Sequence, residues 1–141
     1  MYHNYKTSLT KLVLFSLVVF LTASTLTAAQ KVPYTKSQVD NLINGMESDN
    51  TGLKQSAVIL AGKYRIVEVT ELLRKMLQEE ENSSTIILIA YSLYQIENNA
   101  AMVDVLEKGQ LSNDYTVRNL LTSMALEYFQ KDLDYSVQVS K

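Results

Sequence analysis

The chain has 141 residues, of which 47% are hydrophobic and 20% charged, and its formal net charge is −2. This composition is typical of one globular domain and excludes a disordered, polar chain. The sequence contains no cysteine and no tryptophan, and its single histidine is His3.

Residues 1–29 have the three-part order of a secretory signal peptide. Lys6 and Lys11 precede the apolar run LVLFSLVVFL, and small and polar residues follow it. Thr27 and Ala29 are the small residues expected just before a cleavage site. We therefore predict a signal peptide over residues 1–29.

The alternative for this segment is an uncleaved membrane anchor. Its strongly apolar run has only ten residues, whereas a membrane-spanning helix needs about 20. A lipid anchor is excluded because there is no cysteine to acylate. We expect the mature chain to begin at Gln30, with residues 30–36 as a linker, and to be periplasmic or secreted.

Cleavage would remove His3, Lys6 and Lys11, leaving 11 basic and 15 acidic side chains and a net charge of −4. A chain without imidazole or thiolate cannot form a Ser–His or Cys–His nucleophile, a zinc site with the usual ligands, or a disulfide. An acidic chain with no basic stripe is a poor candidate for binding nucleic acid. We predict no catalytic residue, no metal ligand and no cofactor.

The first helical patterns follow the linker. Val39, Leu42, Ile43 and Met46 recur at helical spacing and predict a lone amino-terminal helix. The next stretch, LKQSAVILAGKYRIVEVTELLRKML, is helical in pattern at both ends and contains Gly62. Because a glycine near the end of a helix eases chain reversal, this stretch predicts two helices joined by a turn.

The two helices are predicted over residues 51–63 and 67–79. Asn50 and Thr51 are the candidate caps of the first helix. The predicted apolar faces are Leu53, Ala57, Leu60 and Ala61 in the first helix, and Val69, Leu72, Leu73 and Met76 in the second.

A second helix pair is predicted after the segment EEENSS. Ser83 or Ser84 is expected to cap a helix that runs through Ile96, and ENN is expected to turn the chain. The apolar residues of the partner helix are Met102, Val105 and Leu106.

A third unit begins with Asp114, which is expected to cap a helix through about Phe129. Residues 131–141 are predicted to form a tail or a partial second helix. The third pair is thus expected to be incomplete.

The sequence matches itself at an offset of 33 positions. Ala57, Leu60, Val69, Leu72 and Leu73 fall on Ala90, Leu93, Met102, Val105 and Leu106. A repeated helix pair predicts an array in which each pair buries its apolar face against its neighbours.

The segment DYTVRNLLTSMAL resembles HEAT-like repeats of the short bacterial type, with Asp114, Val117, Arg118 and Leu126 at the positions of the family pattern. The resemblance covers residues 37–130. It implies an all-α fold, namely a short α-solenoid of stacked antiparallel helix pairs. About two and a half repeats would follow an amino-terminal capping helix.

Most HEAT-like arrays are scaffolds, so the resemblance implies a non-catalytic module that binds a protein partner. The alternative is a small hydrolase that uses carboxylate, Ser, Tyr or Lys chemistry. In such arrays the second helices line the concave face. The candidate partner-binding residues are therefore the charges left on those helices: Glu71, Arg74, Lys75, Asp104, Glu107 and Lys108.

Within this set, Glu71 and Lys75 lie four residues apart, and the same spacing recurs one repeat later in Asp104 and Lys108. Arg74 is expected to lie against Glu107. Such spacing also supports an exposed helix without any partner, by about 0.2–0.5 kcal/mol per pair.

Three other features have simpler interpretations. The run Glu79–Glu81 is expected to be a solvated helix end. The triplet that begins at Asn82 matches the glycosylation acceptor pattern on a predicted surface loop, and in a bacterial host it is expected to be only a linker and a cap. The aromatic residues expected to pack between the first helices are Tyr64, Tyr91, Tyr94, Tyr128 and Phe129.

The predicted signal peptide can be tested directly. The intact mass of the protein isolated from its native host should correspond to a chain that begins at Gln30, because export removes residues 1–29. Recovery of the full-length chain in the membrane fraction would contradict this prediction.

Overall fold

A computed structural model describes residues 34–139, with the side chains of residues 34–131 and 133. The predicted signal peptide and most of the predicted linker lie outside the described residues. The helices are α1 (Lys36–Met46), α2 (Thr51–Lys63), α3 (Thr70–Glu79), α4 (Ser83–Ile96), α5 (Asn99–Leu111) and α6 (Tyr115–Val139), with a 3-10 turn (Val67–Val69) before α3.

The part of the chain from residue 34 to residue 139 contains helices and turns but no strand. The predicted all-α class is therefore confirmed. None of the helices in this range has the length and apolar character needed to cross a membrane.

The helix starts recur at a constant spacing. Asn50, Asn82 and Asp114 each accept a hydrogen bond from the backbone N–H three residues ahead, at 3.0, 3.0 and 3.2 Å. Such side chains satisfy N–H groups that have no partner within the helix. Successive caps are separated by 32 positions, one fewer than the offset of 33 given by the apolar pattern.

The predicted cap of α4 was wrong, because Asn82 caps this helix and neither Ser83 nor Ser84 does. Ser83 instead donates a hydrogen bond from its hydroxyl to Asp114 at 2.6 Å. This bond, together with the backbone N–H of Val117, lowers the pKa of the Asp114 carboxyl. The prediction that Asp114 caps a helix is confirmed, and the cap also ties α4 to α6.

Burial confirms the spacing given by the caps. Leu93 is fully buried, and so is Ala61, its equivalent one cap spacing earlier. Leu60, the residue that the apolar pattern matched to Leu93, is 43% exposed. Leu53 is exposed too, so the predicted apolar face of α2 was half wrong. The buried face of α2 consists of small side chains, namely Ala57, Val58, Ala61 and Gly62.

The predicted apolar face of α3 agrees with the structure better than that of α2. Val69 and Leu73 are buried, and Leu72 and Met76 are partly buried against the core. Leu77, which the pattern did not include, is fully buried. The buried stripe of α3 is therefore rotated slightly around the helix axis from the predicted stripe, toward Leu77.

The core is organised around α4, which packs against α2, α3, α5 and α6. The first helices α2, α4 and α6 follow one another in contact, and α3 contacts α5. α1 packs against α2, with Met46 buried and Val39, Leu42 and Ile43 partly buried against the core. The predicted amino-terminal helix and its stripe are confirmed.

Gly62 permits a close contact between α2 and α4. A Cβ atom at Gly62 would lie 2.6 Å from Ser92 Cα and 2.6 Å from Gln95 Oε1. The buried Ser92 hydroxyl donates a hydrogen bond to the carbonyl of Val58 at 2.8 Å. Gly62 has no positive φ, so its predicted role in chain reversal was wrong. The glycine is required by packing between helices.

The chain reverses at Arg65 and Glu97, which occupy equivalent places in successive helix pairs and have φ angles of 50° and 62°. Both residues occupy the left-handed region that favours glycine. Their side chains pair with each other through two contacts, at 3.2 Å and 3.1 Å. The same turn geometry thus recurs in both helix pairs.

The third unit differs from the other two. α6 continues without interruption from Tyr115 to Val139, so the predicted helix end near Phe129 was wrong. None of the described residues near that point adopts the left-handed conformation seen at Arg65 and Glu97. The segment predicted as a tail or a partial second helix instead prolongs α6, as far as the described residues extend.

The packing role of Gly62 predicts that Gly62→Ala lowers the free energy of unfolding by about 1–3 kcal/mol, as overpacking does in other cores. The control is Gly52→Ala, whose Cβ atom would lie 3.4 Å from Asn50 Oδ1, an ordinary contact. This control should leave stability unchanged or raise it by up to about 1 kcal/mol. Urea denaturation followed by circular dichroism measures both changes, and equal effects of the two would contradict the assignment.

Candidate interaction grooves

Arg74 joins the second helices α3 and α5. Its Nε atom donates to Asp104 Oδ2 at 2.5 Å, and one terminal nitrogen donates to Glu71 Oε1 at 3.0 Å. The hydrogen bonds that Arg74 donates to Asp104, and then to Glu71, raise the pKa of the guanidinium. The expected contact of Arg74 with Glu107 was wrong, because Asp104 is the acidic residue of α5 that faces α3.

Lys108 caps the carboxyl-terminal end of α3. Its Nζ atom donates to the backbone carbonyls of Gln78 and Glu80 at 3.0 and 3.1 Å. The last carbonyls of a helix have no partner within that helix and carry its partial negative charge, so a cation there is stabilising. Lys108 therefore has a role in the fold itself.

The other predicted residues are more exposed. The side chains of Lys75 and Glu71 are 68% and 80% accessible, and Lys75 lies 3.9 Å from Glu79 one turn later. Glu107 is also exposed. The structure thus brings Glu71, Arg74 and Asp104 together and leaves the rest of the predicted set around them.

Lys75 lines a surface groove that we call the first groove. This first groove has a volume of about 370 Å³ and lies where the ends of α1 and α3 meet α2. It is lined by Met46, Glu47, Lys54, Leu72, Lys75, Met76, Glu79 and Glu80. Lys54 pairs with Glu80 across it at 3.8 Å.

Lys108 lies beside the second groove, which has a volume of about 430 Å³. It is lined by Gln78, Glu80, Glu81, Ile86, Lys108, Leu111, Ser112 and Asn113. Glu80 lines both grooves, so the two adjoin each other.

The two grooves lie at equivalent positions in successive helix pairs. Five residues of the first groove each have an equivalent in the second, one cap spacing later: Met46 and Gln78, Lys54 and Ile86, Met76 and Lys108, Glu79 and Leu111, and Glu80 and Ser112. Each groove combines apolar side chains with carboxylates, and each has one carboxylate more than it has lysines. The arrangement suits a polypeptide segment with apolar and basic side chains.

Most groove residues were not predicted from the sequence. Glu47, Lys54 and Glu80 belong to different helices or turns, and no local pattern joins them. Glu80 in particular was expected to be solvated, but its side chain is only 18% accessible. It accepts hydrogen bonds from the backbone N–H groups of Glu81 and Asn82, which shape the turn before α4. Only the correct spacing of the repeat would have indicated the two grooves.

An aromatic groove of about 400 Å³ lies between the first helices α4 and α6. Tyr94 packs edge-on against Tyr128, with 6.1 Å between the ring centroids. The Tyr94 hydroxyl donates to Glu127 at 3.1 Å, and Lys131 contacts the same carboxylate at 2.5 Å. Lys131, and then Tyr94, lower the pKa of Glu127. The predicted packing between first helices holds here, although Tyr91 is half exposed.

Within residues 34–139, no group of three or more His, Cys, Asp or Glu side chains is arranged to hold a metal ion. Comparisons of the chain with protein-family models, with curated proteins and with solved structures give no match. The functional interpretation therefore depends on the geometry of the two grooves.

The two groove lysines should differ in their effect on stability. Lys108→Ala removes two donors from the end of α3 and should lower the free energy of unfolding by about 1 kcal/mol. Lys75→Ala should change it by less than about 0.5 kcal/mol, as is usual for an exposed residue. Urea denaturation of both variants is the measurement, and an equal loss in the two would disprove the capping role of Lys108.

Proposed function

We propose that the chain is a non-catalytic protein-binding module, and that a partner polypeptide lies across the two adjoining grooves. One observation supports this proposal: the first groove recurs one repeat later, in equivalent positions of the next helix pair. Repeated subsites along an array of helices are suited to an extended segment that contacts each of them in turn.

The module is proposed to be a short α-solenoid of the HEAT-like kind. The support is the constant spacing of the helix caps, the succession of contacts α2–α4–α6 and the contact of α3 with α5. α1 then takes the place of the amino-terminal capping helix. Because helix pairs cannot bury their apolar faces alone, stacking of this kind is the ordinary way to stabilise them.

The proposed location is the periplasm or the outside of the cell, and it depends on the predicted signal peptide. The proposed partner is a protein, since a net charge of −4 in the mature chain disfavours nucleic acid. Contact with a membrane would arise only if the signal segment remained as an anchor.

The hydrolase alternative would require carboxylates with shifted pKa values in one pocket. Among the described residues, the carboxyls whose pKa is lowered are Asp114, which accepts a hydrogen bond from Ser83, and Glu127, which accepts one from Lys131. Asp114 caps the start of α6, and Glu127 lies on α6 thirteen residues and about 20 Å further along, so each shift follows from a local structural contact. The binding function is better supported.

Photocrosslinking can identify the partner. A photoreactive residue at position 75 in the first groove, or at position 81 in the second, should capture one and the same protein from the native envelope fraction. The same residue at position 36, about 15 Å from Met46 along α1, is the control and should not capture it.

The purified partner can then be titrated against Glu79→Lys combined with Glu81→Lys, which replaces one exposed carboxylate by a lysine in each groove. We expect at least a tenfold loss of affinity, because a positive charge then faces the basic side chains of the partner in each subsite. Asp40→Lys with Glu68→Lys is the matched control, since both residues are exposed and line neither groove. If both double variants bind like the unmodified chain, the grooves are not the binding site.

A further inference from the structure

The most exposed large apolar side chains of the described residues lie at the carboxyl-terminal edge of the fold. Leu111 is 75% exposed, Tyr115 70%, Leu133 66% and Leu126 58%. An apolar side chain on a soluble surface is ordinary when it is isolated, but a contiguous group of them marks a contact surface.

Three of these residues lie on one side of α6. At 100° per residue, Tyr115, Leu126 and Leu133 fall within about 20° of each other around the helix axis. α5 contacts a neighbouring side, where Gly109 approaches Leu121 and Thr122, and α4 contacts another through Tyr94 and Tyr128. The apolar stripe is on the side that neither helix covers.

The repeat spacing shows what this side of a first helix normally contacts. Leu126 occupies the position equivalent to Tyr94 of α4, one cap spacing earlier, and to Gly62 of α2, two cap spacings earlier. Gly62 is covered by Ser92 of α4, and Tyr94 is covered by Tyr128 of α6. Each first helix therefore uses this side to receive the next one, and no further helix follows α6 within residues 34–139.

We propose that this edge is where two copies of the chain meet, with α6 of one copy antiparallel to α6 of the other. The contact would continue the α2–α4–α6 row by one more helix of the same kind. A head-to-tail contact is disfavoured, because α1 already packs against α2 at the amino-terminal end. In a symmetric dimer, the carboxyl-terminal edge of one copy then contacts the carboxyl-terminal edge of the other.

The spacing of the stripe suits a two-fold contact, in which one surface must be complementary to itself. Its exposed residues Tyr115, Leu126 and Leu133, together with the partly buried Thr122 at its border with α5, are separated by 7, 4 and 7 positions. In an antiparallel pair, Thr122 of one copy therefore lies opposite Leu126 of the other, and Tyr115 lies opposite Leu133. The stripe contains no charged residue, so no like charges face each other.

The size of the contact indicates its strength. The stripe runs over nineteen residues of helix, from Tyr115 to Leu133, whose ends are about 27 Å apart, which places the interface at the small end of the range for specific complexes. We therefore expect a weak, reversible dimer, with a dissociation constant of about 1–100 µM. None of the four stripe residues lines either groove, so the proposal is independent of the partner function.

The first test is sedimentation equilibrium of the chain as isolated from its native host, at 1–500 µM. We expect reversible dimers, and Leu126→Glu should weaken dimerisation by at least tenfold with unchanged circular dichroism. Leu53→Glu is the matched control, since Leu53 is 53% exposed on α2, and it should dimerise like the unmodified chain. A monomer throughout this range, or equal effects of the two variants, overturns the proposal.

The second test measures the orientation of the two copies. Because the chain has no cysteine, Asn119→Cys and Gln130→Cys each introduce a single thiol, and both residues are exposed beside the stripe. In the antiparallel pair, positions 119 and 130 of different copies lie about 2 Å apart along the helix axis, whereas two copies of position 119 lie about 15 Å apart.

A short thiol crosslinker should therefore join Asn119→Cys to Gln130→Cys in a mixture more efficiently than it joins either variant to itself. Preferential joining of like variants would overturn the antiparallel arrangement. A mixed product that survives Leu126→Glu unchanged would show that the stripe does not form the contact. Partner capture through the grooves is unaffected by all of these variants if both proposals are correct.

Discussion

The close contact of α2 with α4 at Gly62 is the constraint on which the other helix contacts depend. Because this position has no Cβ atom, the backbone of α2 reaches Ser92, whose hydroxyl bonds the carbonyl of Val58. α4 is thereby fixed at the centre of the core, where it packs against four other helices. Small residues on the buried face of α2 keep this distance short, and the larger apolar side chains of α2 point outward. The positions of both grooves follow, since each forms where helix ends meet around this core.

Several charged residues stabilise this arrangement of helices, in addition to any role in binding a partner. Arg74 ties α3 to α5 through Asp104, and Lys108 closes the end of α3. At the chain reversals, Arg65 and Glu97 adopt a left-handed conformation that costs a residue with a side chain about 1–2 kcal/mol. Glycine would relieve that strain but would remove the ion pair between the two turns. Charge at these positions therefore helps to keep successive helix pairs in register.

Sequence periodicity predicted most of the helices, because their apolar stripes and cap residues are local signals. The start of α2 at Thr51 and the role of Asp114 could be predicted in this way. The apolar pattern gave a spacing one position too long, since Leu60 and Leu93 are identical in type although only Leu93 is buried. The packing role of Gly62 and the sharing of Glu80 between the grooves depend on contacts across helices, which no local pattern contains. The continuous α6 was missed for a related reason, because polar residues after Phe129 are compatible with either a turn or an exposed helix.

The side-chain hydrogen bonds between neighbouring helices have a consequence for the way the chain folds. They join residues about one repeat apart, from 28 positions for Lys108 and Glu80 to 37 for Lys131 and Tyr94. Contacts of such short sequence separation close small loops and favour rapid folding. Loss of structure at one end of the chain need not propagate to the other, since each helix depends mainly on its immediate neighbours. Hydrogen exchange is therefore expected to be slowest in α4 and to accelerate toward both ends.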